Sequence, residues 1–236
     1  MNERVYISSE NVRKRFSKHD IRLKDKTSTP PVFDKASVLV PLFLLDREWH
    51  VLLTVRSKHL RSHSGLVAFP GGKQDSNDLD DIETALREAE EEIGLDPNKV
   101  EVISVLPESF IRPNVMVTVV VGIIPNNFKP VINEYEVHKV FSLPLKRFLK
   151  DDYTTQKFEI AGNQVQSYFF SDEVDGNTIV TWGFTASYCM FSAIILYQDF
   201  KKRYYGYSDK YVTLDCLWPE ISFTNYLLAN YNSAKL

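Results

Sequence analysis

The stretch that decides the fold reads Phe69-Pro70-Gly71-Gly72 and, eight residues on, Asp81-Ile82-Glu83-Thr84-Ala85-Leu86-Arg87-Glu88-Ala89-Glu90-Glu91-Glu92-Ile93-Gly94-Leu95. Ile82, Ala85, Leu86, Ala89 and Ile93 recur at i, i+3, i+4, i+7 and i+11, the apolar stripe of an amphipathic helix. Asp80 followed by Glu83 is an N-terminal capping signal and Gly94 a C-terminal one. The spacing therefore predicts a helix over Asp81–Ile93.

With Ile82 at 0° and about 100° per residue, Glu91 falls at about 180°, Glu88 at about 240° and Glu92 at about 280°. These three carboxylates share one arc, and Glu90 lies on the other flank. Like charges one turn apart repel. Interspersed lysines usually relieve a solvated acidic face, but Arg87 is the single basic residue between Asp81 and Asp96. Three oxygen donors on a rigid helix suit Mg²⁺ or Mn²⁺. The helix alone fits either a solvated acidic face or a divalent-ion site. The Gly71-Gly72 turn favours the ion site, because a glycine pair lets backbone approach a ligand closely and offers a carbonyl oxygen.

Charge is distributed unevenly around this segment. Residues 73–96 hold ten acidic and two basic residues, a net −8. The whole chain has 28 Lys and Arg against 31 Asp and Glu, a net −3, so the remainder carries +5. An anionic block of that density opposes folding unless something neutralises it. The near-neutral total argues against a general nucleic-acid binder or a polybasic membrane protein.

The chain of 236 residues, 44% hydrophobic and 25% charged, has a globular composition. A chain of this length buries roughly 70% of its unfolded surface and needs no disulfide to hold a core. Cys189 and Cys216 lie in no Cys-x-x-Cys motif and read as reduced thiols of an intracellular protein, with no zinc site. Residues Met1 to Tyr6 contain no apolar run, so no secretory signal is expected. Gly176 to Gln198 has no charged residue but breaks at Trp182-Gly183. It reads as a buried strand (Thr178 to Thr181) and a core helix (about Thr185 to Phe200), not as a membrane span.

Residues 1–35 read as a polar basic arm, with seven basic residues between Arg13 and Lys26 against Asp20 and Asp25. Val12 and Phe16 are spaced to seat a short helix on the core. The plain expectation for the arm is a solvated segment, and the sharper one is a grip on a polyanion. Residues 36–236 read as one domain. Ser37 to Leu45 and Trp49 to Arg56 form a predicted hairpin; Val100 to Leu106, Val115 to Ile124 and Val137 to Leu143 are further strands. Phe158 to Ile160 and Val165 to Phe170 form a second hairpin around Gly162-Asn163. The expected class is α+β, a mixed sheet between helices.

The run from Gly72 through Arg87-Glu88-Ala89-Glu90-Glu91-Glu92-Ile93-Gly94-Leu95 resembles the Nudix box. That box reads Gly, five residues, Glu, seven residues, then Arg-Glu-apolar-x-Glu-Glu-x-Gly-apolar. The second half matches at every defined position. In the first half fourteen residues separate Gly72 from Arg87 where the box has thirteen, the leading Glu is absent, and Asp78 or Asp80 stands in for it. A second run, Leu52-Leu53-Thr54-Val55-Arg56-Ser57, then Arg61, Gly65 and Phe69-Pro70-Gly71-Gly72, resembles the signature of the coenzyme A diphosphatase branch. Glu136-Val137 and Trp182-Gly183-Phe184-Thr185 are also similar to that branch.

The resemblance implies a Nudix-type α-β-α sandwich with a mixed β-sheet. It also implies hydrolysis, dependent on Mg²⁺ or Mn²⁺, of the pyrophosphate bond of coenzyme A (CoA) and acyl-CoA, giving 3′,5′-ADP and 4′-phosphopantetheine or its acyl form. Carried over by position, Glu88, Glu91 and Glu92 are the metal ligands. The catalytic set is Glu88, Glu91, Arg87 and Glu136; Glu88 and Glu136 are the candidate bases, and Arg87 orients a carboxylate. Arg56 and Arg61 are expected to meet the 3′-phosphate, and Gly71 and Gly72 to cradle the substrate. Ala234-Lys235-Leu236 is a conservative variant of the Ser-Lys-Leu signal read by the peroxisomal import receptor, so a peroxisome is the expected compartment. Two readings stand beside this one: a Nudix pyrophosphatase acting on NADH, ADP-sugars or capped RNA, and a catalytically silent CoA-binding module. The missing basic stripe argues against RNA.

Overall fold

A computed structural model describes residues 7–23, 34–60, 62–111, 115–160 and 163–198. Helix α1 (Ser9–Ser17) starts where the Ser8 hydroxyl accepts from the Asn11 amide at 3.3 Å. Its two apolar residues, Val12 and Phe16, are one turn apart and both 0% exposed. The Trp49 indole donates to the Ile7 carbonyl at 2.8 Å, and Ser104 donates to the Phe16 carbonyl at 3.3 Å. Arg13 pairs with Glu101, Arg15 bonds the Leu196 carbonyl, and Arg22 pairs with the buried Asp20. Three of the basic residues expected on a solvated or polyanion-binding arm thus hold partners within the chain. Residues 7–23 form part of the core surface.

Strand β1 (Asp34–Leu45) turns through Asp46 and Arg47, both at positive φ (48° and 63°), into the antiparallel β2 (Glu48–Arg56). Two residues at positive φ match the right-handed twist of the flanking strands. Two short strands follow, β3 (Val67–Ala68) and β4 (Gly71–Lys73). The sequence presents them as a turn, yet β3 pairs with β2 and β4 pairs with the first half of β1 through Ala36↔Lys73, Ser37↔Gly72 and Val38↔Gly71. Helix α2 (Asp81–Ile93) matches the expected span. Strands β5 (Glu101–Ile111), β6 (Val115–Ile123) and β7 (Val137–Pro144) complete a seven-stranded sheet. The β1–β6 pair is parallel and the other pairs are antiparallel, so the sheet is mixed.

Alternation along the central strands sends side chains to two cores. Leu39, Leu52 and Val120 pack with Ala85, Ala89 and Ile93 of α2 on one face. Val40, Leu53, Val119 and Val121 pack on the other face with α1 and with α3 (Gly183–Tyr197). Both faces are covered, which gives the α+β, α-β-α sandwich. A three-stranded sheet, β8 (Thr154–Ile160), β9 (Asn163–Val174) and β10 (Asn177–Trp182), adds Tyr168 and Phe170 to the second core. Helix α3 buries eleven of its fifteen residues, so its uniformly apolar surface belongs to a core helix. Among the described residues no helix is long and apolar enough to cross a membrane. Helix α3 ends at Tyr197, where Gln198 takes a left-handed φ of 53°, short of the expected Phe200; Cys216 lies outside the described residues.

Truncating Phe16 to Ala deletes a fully buried ring at the α1 contact. The expected loss is about 3–5 kcal/mol of unfolding free energy, against a far smaller loss for Arg13→Ala, whose pair with Glu101 is exposed. Urea denaturation of both variants measures the difference; equal effects would place α1 off the core.

Candidate metal centre

The site forms where α2 lies across the Gly-Gly strand. The Asp80 side chain caps α2, accepting from the amides of Ile82 and Glu83, each at 2.9 Å. Gly94 ends it at φ 69°. The chain then returns over the last carbonyls of the helix. Val131 donates to the Ile93 carbonyl and Asn133 to the Glu92 carbonyl, both at 2.9 Å. A tight turn follows, with the amides of Glu136 and Val137 both donating to the Asn133 carbonyl, and the Ser57 amide fixes the Glu136 carbonyl at 2.8 Å. Five backbone hydrogen bonds thus deliver Glu136, from a loop more than forty residues on, to the side of α2.

Glu88, Glu92 and Glu136 offer carboxylate oxygens that all lie within 4.8 Å of one another. Glu92 is 3% exposed, while Glu88 and Glu136 are half-buried. The Gly71 amide donates to Glu92 Oε2 at 3.3 Å, and Arg56 Nη1 stands 3.8 Å from Glu92 Oε1. Desolvation pushes the Glu92 carboxyl up to about 8, against the opposing pull of Arg56 and the Gly71 amide; Glu88 and Glu136 push it further up. Burial also raises Glu88, although Arg87 opposes it. Gly72 faces Glu88 so closely that a Cβ there would lie 2.5 Å from the Glu88 carboxyl carbon. A Cβ on Gly71 would meet the Ser37 carbonyl at 2.4 Å. Backbone contact requires glycine at position 71, whereas a Cβ at position 72 would push the Glu88 carboxylate out of the cluster.

Arg87 is the hub of the outer side. It donates five hydrogen bonds: two to Asp78 (2.8 and 2.9 Å), one each to Glu88 (3.0 Å) and Glu91 (3.1 Å), and one to the Lys73 carbonyl (3.0 Å). A guanidinium has five N–H donors, so Arg87 is saturated by its own chain. Arg87 holds the Asp78 carboxyl well below the ordinary carboxylate range. Of the two acids that stand in for the missing leading Glu, Asp78 is the one that reaches Arg87, while Asp80 is occupied as the helix cap.

The structure brings together Arg56, Gly71, Gly72, Arg87, Glu88, Glu92 and Glu136. It leaves Glu91 out of the three-carboxylate cluster. Glu91 is 53% exposed and paired with Arg87, because it lies opposite the apolar stripe and points away from the sheet. Arg61 lies outside the described residues. The donor set fits a hard divalent cation. Three carboxylates converge, one of them is sealed from water, and their mutual repulsion is relieved by positive charge between them.

Residues 35–163 match the NUDIX domain. The chain is 39% identical over 168 residues to "Nudix hydrolase 15, mitochondrial" of Arabidopsis thaliana, covering 70% of this chain and 59% of that protein. It is 41% identical over 169 residues to "Nudix hydrolase 22, chloroplastic" of the same plant, covering 70% and 56%. It is 38% identical over 169 residues to "Peroxisomal coenzyme A diphosphatase NUDT7" of Mus musculus, covering 70% and 72%. The chain thus spans less than two thirds of the length of the two plant relatives.

The Glu92 environment has a pH consequence in metal-free protein. Below its ordinary value of 4.5 the carboxyl is protonated in both folded and unfolded chains. Between 4.5 and about 8 the unfolded chain releases the proton while the folded one keeps it, so stability falls as pH rises through that window. The expected drop is on the order of a few kcal/mol, and Glu92→Gln removes the Glu92 share, leaving only that of the raised Glu88 carboxyl. Urea midpoints at about pH 5 and 8 for both proteins, in chelator, measure it; parallel pH profiles would contradict the assignment.

Proposed function

The chain belongs to the Nudix family, and on that premise we propose that it hydrolyses the pyrophosphate bond of CoA and acyl-CoA, releasing 3′,5′-ADP and 4′-phosphopantetheine or its acyl form. The observation that carries the reaction is the convergence of Glu88, Glu92 and Glu136 beside Gly72. The substrate rests on the run from Leu52 to Gly72 and on similarity to a mouse protein whose name states that activity. Placement in peroxisomes rests on the same mouse relative, whose name states that compartment; the plant relatives are named for other organelles.

In this reading Glu88, Glu92 and Glu136 hold Mg²⁺ or Mn²⁺. When bound, the ion neutralises pyrophosphate charge and activates water. The chain's own residues supply the remainder. The backbone at Gly71 and Gly72, free of Cβ atoms, lets the phosphates approach β4 closely. Glu88 and Glu136 are the cluster members that solvent reaches, so they are the carboxylates able to take the proton of an attacking water. Glu92, sealed from solvent, serves as a ligand only. Arg87 has no donor left for substrate and acts as a positioning residue, fixing Glu88 Oε1 at 3.0 Å.

Purified protein with Mg²⁺ or Mn²⁺ is expected to release 3′,5′-ADP from CoA, followed by chromatography, with slower turnover of NADH and ADP-ribose. Glu92→Gln should lower kcat at least about 100-fold while retaining the fold. Brisk turnover of NADH without release of 3′,5′-ADP from CoA would move the substrate elsewhere in the family. Wild-type activity in Glu92→Gln would remove the ion-binding role.

A further inference from the structure

We propose that Arg56 grips the pyrophosphate group of the substrate, not the 3′-phosphate that the sequence suggests for it. The inference rests on the reading above, in which a pyrophosphate lies at the carboxylate cluster.

Among the described residues two arginines border that cluster, and the chain uses them in opposite ways. Every donor of Arg87 is occupied. Arg56 Nε is buried and has no hydrogen-bond partner among the described residues. Its Nη1, 3.8 Å from Glu92, is beyond hydrogen-bond reach. If Arg56 were present only to neutralise Glu92, nothing would prevent the close, bidentate contact that Arg87 makes with Asp78. A buried guanidinium N–H without an acceptor is costly and rare. Its planar fork matches phosphate oxygens in pairs. The idle donors therefore point to an anion that arrives from outside.

The backbone explains why this side chain stays available. Arg56 ends β2 opposite Val137, with a register shift between Val55 and Arg56. The extra residue, His138, lies on β7, and β2 itself runs regularly up to Arg56. The Arg56 amide donates to the Leu66 carbonyl at 2.9 Å, and its carbonyl accepts from the Gly65 amide at 3.1 Å. The next amide, of Ser57, holds the Glu136 carbonyl. Main chain and cluster are thus tied together while the side chain, 23% exposed, faces an incoming ligand. Its closeness to Glu92 puts it at the phosphoanhydride being cut. A 3′-phosphate lies a ribose away from that bond. The phosphoanhydride is anionic and so is the cluster, so a chain-borne cation at this position offsets repulsion that a shared divalent ion leaves uncompensated.

The test compares wild type, Arg56→Ala and Arg56→Lys on CoA and on 3′-dephospho-CoA, which lacks the distal phosphate. Calorimetry with methylenediphosphonate, a non-hydrolysable diphosphate mimic, at saturating Mn²⁺ supplies a binding readout. Arg56→Ala is expected to lower kcat/KM about 10- to 100-fold for both nucleotides and to weaken methylenediphosphonate by a similar factor. Arg56→Lys should recover part of each loss, because it restores charge without the fork. A loss confined to CoA, with 3′-dephospho-CoA and methylenediphosphonate unaffected, overturns the proposal in favour of the 3′-phosphate. Absence of any loss reduces Arg56 to a counter-ion of Glu92 and also overturns it. If wild type cleaves neither nucleotide, the substrate reading fails alone, and the methylenediphosphonate affinities still decide the role of Arg56. If wild type with Mn²⁺ does not bind methylenediphosphonate, both readings fall.

Discussion

A carboxylate buried without a hydrogen-bonded cation governs the architecture of this molecule. Glu92 is 3% exposed, and its hydrogen bond comes from a backbone amide at 3.3 Å. Ionising a group there costs several kcal/mol, so without a cation the folded chain keeps the Glu92 proton up to about pH 8. The helix that carries it supplies the compensation. Ala85, Ala89 and Ile93 are fully buried against Leu39, Leu52 and Val120, and the Asp80 cap and the loop over the last carbonyls fix both ends. A large apolar side chain contributes roughly 1.5–3 kcal/mol when buried, and an N-cap about 1 kcal/mol. Rotating α2 to release Glu92 would expose that whole stripe. Hydrophobic seating therefore outweighs the electrostatic penalty, and an anionic site is imposed on the fold.

The glycines follow from the same constraint. With α2 fixed over β1, the strand carrying Gly71 and Gly72 must pass between the Ser37 carbonyl and the Glu88 carboxylate. Neither contact leaves room for a Cβ. Antiparallel pairing with β1 then satisfies the backbone of β4, so the Gly-Gly segment is rigid where a free turn would be mobile. Packing and ligand access at this position are one requirement.

How much was legible in the sequence depended on whether local periodicity or tertiary pairing decided the outcome. Helix α2 was read residue for residue, because its apolar stripe and both caps are local. The first hairpin, the parallel β6 run and the core character of α3 were legible for similar reasons. Strands β3 and β4 were not. Two and three residues around a proline and two glycines carry no period, and they become strands only because β2 and β1 stand beside them. Residues 7–23 of the leader were ambiguous on charge and are seated on the core by Val12 and Phe16. At the site, the helical wheel placed Glu91 in the same arc as Glu88 and Glu92. It also placed Glu91 directly opposite the apolar stripe, which is why it faces solvent and pairs with Arg87. Exposure falls from Glu91 through Glu88 to Glu92 in the order of their angle from that stripe. Angle from the buried face, more than shared arc, was the informative quantity. Glu136 entered the sequence reading through resemblance alone, since its place depends on backbone bonds to α2 and Ser57 that no local pattern announces.

The acidic block itself sorts by partner. Asp80 faces helix amides, Asp78 faces Arg87, Glu91 shares Arg87 at the rim, and Glu83 accepts from the Leu79 amide. Each of these charges is met within the chain. Glu88 has one oxygen met by Arg87, Glu92 has one amide, and both crowd against Glu136. Arg87 is already counted in the net −8 of residues 73–96, so these bonds fix the acids in place without cancelling that charge. The excess that opposes folding is concentrated at the point where three helix- and loop-borne carboxylates converge. Opposite them stands Arg56 with donors unused. Unmatched acids and an unmatched base that do not close on each other define a gap whose chemistry is complementary to a cation and a phosphate together.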